Sequence, residues 1–196
     1  MSRNSSDPRV RRTHQLLLDA FMALVQEKRT IHSISIQEIA MRATVNRATF
    51  YAHFEDKYAL VMDWTRDKFQ RALASELPPS SRLQKESLHH LILATFDFMA
   101  LARRYYRPSN RQFEPLYEMA IQQELYDLLL RWLKQVAAEI PLSEETIETT
   151  AQVSSWAIFG PAMQWSRGDQ SISKEVMAQH VLVIIVAGLS PVVTIT

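Results

Sequence analysis

Cysteine is absent from the 196 residues, which excludes disulfides, thiolate metal sites and a cysteine nucleophile. Glycine is nearly as scarce: there are three, Gly160, Gly168 and Gly188. A glycine-rich phosphate cradle of P-loop or Rossmann type therefore has no place in the first 159 residues. Long apolar runs are also missing. The most apolar stretch is Val181 to Leu189, whereas a bilayer span needs about 20 residues, so this stretch reads as a buried helix. Met1 to Pro8 is rich in Ser, Asn and Asp and lacks the apolar centre of a signal peptide. It is expected to be a disordered tail on a cytoplasmic protein with no membrane partner. Period-two alternation is lacking outside the extreme C-terminus, which argues against strands. No nucleophile elbow, His-Glu-x-x-His pair or paired-carboxylate setting occurs. His89 and His90 are adjacent and diverge on a helix. No catalytic residue, metal or cofactor is expected, and the chain does not read as an enzyme.

What is there is ordinary globular material, 47% hydrophobic and 22% charged, enough to build a sizeable core. The net charge of +1 is unevenly spread. Residues 1–75 carry twelve Lys/Arg against eight Asp/Glu, a net of +4, and residues 76–196 carry a net of −3. A basic third joined to a mildly acidic remainder suits one module that faces an anion and one that does not.

Apolar spacing predicts helices throughout. Val10 to Lys28 carries Leu17, Phe21, Leu24 and Val25 on one stripe. Ser35 with Glu38 forms a capping box for a short helix ending near Ala43. Asn46 is a good N-cap for a third helix, Arg47 to Phe54, with Val45, Phe50 and Phe54 on its buried side. A linking helix follows over 56–75. Leu77-Pro78-Pro79-Ser80-Ser81 is the clearest break and sets the expected boundary between residues 9–76 and 77–196. Further helices are expected at about 82–106, 112–139, 143–167 and 173–189.

Two short helices joined by a tight turn, the second with a polar outer face, make a helix-turn-helix pattern. The second helix must fit a major groove about 12 Å wide. Arg47 can be bidentate to guanine, and Ala48 and Thr49 can meet a thymine methyl. Tyr51 and His53 can reach phosphates. Lys57, at the start of the next helix, can join that helix's amides around another phosphate.

The run Ser35 to Leu60, and above all Thr49-Phe50-Tyr51-Ala52-His53-Phe54 followed by Lys57, resembles the DNA-binding domain of TetR/AcrR-type transcriptional regulators. The resemblance implies an all-α fold: a homeodomain-like three-helix domain followed by a helical ligand-binding and dimerisation domain. It implies base-edge contacts from Gln37, Arg47, Ala48 and Tyr51, and backbone contacts from Ser35, Thr49, His53 and Lys57. Asn46 completes the candidate DNA-binding set. That family usually has Gly in the turn, where this chain has Thr44; a β-branched residue at a left-handed position is strained. A slight rearrangement of the turn is therefore expected.

Beyond the break, the resemblance implies a ligand pocket, a homodimer and an unidentified small-molecule effector. Phe96, Met99, Tyr106, Phe113, Tyr117, Trp132, Trp156, Phe159 and Met163 are the candidate pocket residues, because apolar pockets use aromatics and Met. The last two helices carry more apolar positions than one face needs. Val153, Trp156, Gly160, Trp165, Val181, Ile184 and Ile185 are the candidates for a twofold interface. Pro161 is expected to kink its helix. The resulting expectation is a bacterial, ligand-responsive regulator, most simply a repressor, that binds a palindromic operator in double-stranded DNA as a homodimer. Two other classes stay open at this point: a co-activator or protein-interaction partner that has lost operator binding, and a helical small-molecule binder with no regulatory output.

Overall fold

The computed structural model describes residues 7–27, 30–105, 108–138, 142–190, 192 and 195, with the backbone alone at 104, 105 and 108–110. The regular structure of the described residues is helical, with no strand among them. The helices are α1 (Pro8–Gln26), α2 (Ile36–Arg42), α3 (Arg47–Tyr51), α4 (Lys57–Glu76), α5 (Lys85–Tyr105), α6 (Glu114–Ala137), α7 (Glu144–Arg167) and α8 (Lys174–Leu189). Short 3-10 turns lie at Ile31–Ser33 and Pro108–Phe113. No helix among them is long and apolar enough to cross a membrane.

Local signals set most helix starts. Asp7 accepts from the Arg9 amide at 2.8 Å, with Pro8 at the first helical position of α1. Ser143 and Ser173 cap α7 and α8 by accepting from the amides of Thr146 and Val176. Each cap satisfies an amide that a helix start leaves without an intrahelical partner. Expected boundaries move at two points: α1 starts at Pro8, so that Asp7 and Pro8 belong to the helix start and not to a disordered tail, and α3 stops at Tyr51 rather than Phe54, with Ala52 as its C-cap. His53 N–H then donates to the Phe50 carbonyl at 2.9 Å, a tighter closure than an α-turn. Pro161 lies inside α7, and the helix continues through it to Arg167.

The chain forms two compact units. One holds Met1–Trp64 and Arg107–Tyr117, the other Thr65–Tyr106 and Glu118–Thr196. The division falls inside α4, not at the Pro78-Pro79 break, because Phe69, Leu73, Leu77 and Leu83 all belong to the second unit's core. In the first unit Leu17, Phe21, Ile31, Ile34, Ile39, Phe50 and Leu60 are each at most 1% exposed. Each such side chain contributes roughly 1.5–3 kcal/mol of burial. The second unit's core is drawn from α4 to α8, with Leu88, Leu91, Phe96, Ile121, Leu125, Ala151 and Ile158 at its centre.

Candidate nucleic-acid interface

The site is built in the first unit around α2 and α3. Ser35 caps α2 through a complete capping box. Its Oγ accepts from the Glu38 amide at 3.2 Å, and its own amide donates to Glu38 Oε2 at 2.9 Å. The Ser35 hydroxyl proton also goes to Glu38 Oε2, at 2.9 Å. At the other end of α2, Thr44 takes φ 57°. Its amide donates to the Met41 carbonyl at 3.1 Å and the Val45 amide to the Ala40 carbonyl at 3.0 Å. Those two bonds define a Schellman closure with Thr44 in the left-handed position. The turn therefore keeps its geometry without glycine and carries the strain instead of rearranging.

Asn46 starts α3. Its Oδ1 accepts from the Thr49 amide at 2.7 Å and from Thr49 Oγ1 at 3.0 Å. Phe50, fully buried, anchors α3, with Tyr51 edge-on to its ring at 5.7 Å and Phe54 tilted at 5.7 Å. On the outer side Arg47 Nη2 donates to Tyr51 Oη at 3.0 Å, and its guanidinium lies 5.5 Å from the Tyr51 ring centroid. Tyr51 is 47% exposed, and Gln37, Arg47 and Ala48 are exposed with it. The pairing holds the arginine fork on the outer face and leaves its other N–H donors for an acceptor such as a guanine edge.

The side chains expected to meet phosphate have partners within the chain. Thr49's hydroxyl proton is used on Asn46, and Ser35's on Glu38. Lys57, expected to pair with a phosphate, donates its Nζ to the carbonyls of Ile31 at 3.1 Å, His32 at 2.9 Å and Ile34 at 3.2 Å. Partial burial there pulls its pKa below the ordinary 10.5. The amides beside it are also occupied: Asp56 Oδ1 accepts from Tyr58 and Ala59, each at 2.8 Å. His53 is half-buried, 5.9 Å from the ring of His14. His14, isolated in the sequence, has partners in the fold. Its ring lies 4.9 Å from Phe54, and its Nε2 is 2.7 Å from Asp63 Oδ2 on α4. Only the helical register of α1 against α4 brings that pair together, so nothing local marked it.

In the second unit the interface candidates divide. Val153 (63% exposed), Trp156 (51%) and Ile184 (68%) lie on the surface, and Gly160 is partly exposed on the same α7 stripe. Val181 and Ile185 are turned the other way, 5% and 4% exposed in their own chain's core, and Val183 is exposed instead. Trp165 packs 5.5 Å from Phe96 and donates its Nε1–H to the Ile172 carbonyl at 2.8 Å. A groove of 280 Å³ runs between α7 and α8, lined among others by Thr149, Val153, Ala157, Ile184 and Gly188. Among the described residues, and apart from each glycine's own stretch of helix, no atom lies within 4 Å of where a Cβ would stand on Gly160 or Gly188.

The eight described pocket candidates divide between the two units. Phe96, Met99, Trp132 and Phe159 are buried in the second unit's core, with Met163 partly buried against it. Trp156 is on the surface, edge-on to Phe159 at 5.6 Å. Phe113 and Tyr117 belong to the first unit, where Phe113 stacks on Tyr58 at 5.9 Å. Tyr106 lies outside the described residues. Among the described residues no cluster of three or more acidic or histidine side chains is placed to hold a metal ion.

Residues 17–62 match the family of bacterial regulatory proteins, tetR family. An uncharacterised HTH-type transcriptional regulator of Bacillus subtilis (strain 168), YxbF, is 24% identical over 181 residues, covering 76% of this chain and 47% of that protein. The chain thus spans about half the length of that curated relative. Among solved structures, a TetR-family regulator from Streptomyces coelicolor A3 aligns with a TM-score of 0.59 at 17% identity, over 97% of this chain and 99% of that one. The regulator FadR from Bacillus subtilis, solved in complex with stearoyl-CoA, aligns with a TM-score of 0.50 at 18% identity, over 89% of this chain and 98% of that one.

Proposed function

We propose, from the match of residues 17–62 to the tetR family of bacterial regulatory proteins, that this chain is a member of that family and works as a homodimeric, ligand-responsive repressor. DNA binding and transcriptional regulation follow from the family. The observation that carries the site assignment is the outer face of α3, where Arg47 and Tyr51 are bonded to each other and held over a fully buried Phe50. Gln37 from α2 and Ala48 from α3 are exposed as well. Bidentate arginine and methyl contacts of this kind read base edges in the major groove. Exposed Arg9, Arg11 and Arg12 at the start of α1 supply positive charge for salt-dependent backbone binding.

The homodimer reading is supported by the apolar surface of Val153, Trp156, Val183 and Ile184. A patch of that kind on one protomer marks an interaction site, and the same stripe on a twofold mate is self-complementary. Two recognition helices then meet successive turns of a palindromic operator. Ligand response is supported by the second unit's aromatic-rich core and by the bound acyl-CoA in FadR, a protein of similar fold. A ligand would act only through its different affinity for the DNA-competent and incompetent states.

The test is enrichment of duplexes from a random-sequence pool, followed by gel shifts with the enriched duplex across a salt series. The expected outcome is an inverted-repeat consensus bound by two chains, with affinity falling steeply as salt rises. A protein that enriches no sequence has lost operator binding and acts through another partner.

A further inference from the structure

We propose that Lys57 is a positioning residue and not a phosphate ligand: seated on the carbonyls of Ile31, His32 and Ile34, it fixes the turn that delivers α2, and through α2 the recognition helix α3. This rests on the DNA-binding reading above. An ammonium has three N–H donors, and three carbonyl oxygens receive them. Those carbonyls close the Ile31–Ser33 turn, whose end carries partial negative charge because its peptide dipoles point there. The turn is otherwise held by the Thr30 cap on Ser33 and by the buried side chains of Ile31 and Ile34. The next residue, Ser35, is the N-cap of α2. The position of that cap along the chain therefore depends on a cation contributed from α4, more than twenty residues later.

The alternative, a phosphate at the start of α4, finds its place already filled. Asp56 Oδ1 holds the amides of Tyr58 and Ala59, and Glu55 beside it is exposed. A phosphate there would displace one carboxylate and face another. A helix start attracts anions only while its amides are available.

The two roles predict different binding thermodynamics. A lysine that pairs with phosphate releases counterions, and its removal lowers the salt slope by about 1 per bound subunit. A lysine that only holds a turn leaves the slope where it was. Arginine separates them further. Its planar fork is a good phosphate ligand, but it cannot converge three donors from one nitrogen onto three carbonyls.

The experiment uses the full chain as Lys57→Arg and Lys57→Met, a duplex enriched by the unaltered protein, and a scrambled duplex of the same composition. Binding is measured below each variant's Tm, which a circular-dichroism melt gives. Expected are a loss of about tenfold or more on the enriched duplex for both variants, little change on the scrambled duplex, and an unchanged salt slope. Wild-type affinity for Lys57→Arg, or a slope lowered by about 1 per subunit for Lys57→Met, overturns the proposal. So does a lowered Tm with wild-type affinity, which marks a merely structural lysine. Should Lys57→Met not fold, Lys57→Arg decides. An unaltered protein that enriches no duplex overturns the DNA-binding reading, and this proposal with it.

Discussion

Replacing Thr44 by Gly should tighten the DNA-binding unit. The residue sits at φ 57° with an exposed side chain, so its removal forfeits no buried contact. A left-handed conformation costs an L-residue roughly 1–2 kcal/mol. Glycine escapes that cost but gives back about 0.5–1 kcal/mol in unfolded-chain entropy. The difference leaves Thr44→Gly more stable by about 0.5–1 kcal/mol. Thr44→Asn, which tolerates the same region, should fall between the two. Native-state hydrogen exchange reads the effect locally. Amides of α2 and α3 should gain roughly two- to fivefold in protection, while those of α7 and α8 stay unchanged. DNA affinity should change little, because the closure is made by backbone bonds from Thr44 and Val45. Unchanged or reduced protection at Ala43 to Phe50 would refute the strain argument.

Ile184→Asp places a charge on the exposed α7–α8 face and should weaken self-association by about a hundredfold or more; sedimentation velocity should show a dimer for the unaltered chain and a monomer for the variant. Arg47→Ala should cost about 1–3 kcal/mol on the enriched duplex and relax preference at one base position, read by repeating the enrichment with the variant. Burial pushes the Tyr117 hydroxyl up to about 12. The folded state therefore holds its proton where the unfolded chain, with a pKa of about 10, gives it up. Its stabilising contribution is complete below pH 10 and is lost between 10 and about 12, by at most about 2–3 kcal/mol. Urea melts at about pH 9 and 11 should show that extra loss in the unaltered chain and not in Tyr117→Phe.

What the sequence made legible was local. Ser35 and Asn46 could be named as caps because their partners lie three residues away. The strain at Thr44 was visible because a left-handed turn position is a property of one residue's backbone. Phe50 and Phe54 were legible as core from spacing alone. What escaped was contact across distance. Lys57 reaches carbonyls 23 to 26 residues earlier, and no pattern within one helix marks that. His14 and Asp63 meet across 49 residues. Phe113 and Tyr117 read as aromatic pocket material, yet they join the first unit. Val181 and Ile185 were grouped with Ile184 because an almost wholly apolar helix offers no polar face from which to read its rotation.

Gly160 and Gly188 have a consequence of their own. Each sits inside a helix, where alanine is worth about 1 kcal/mol more, and around each the space a methyl would occupy is empty. Among the described residues of one protomer nothing demands their smallness. A chain tuned as a single body would gain by filling both sites. Left bare, they let another backbone come closer than a β-carbon would permit.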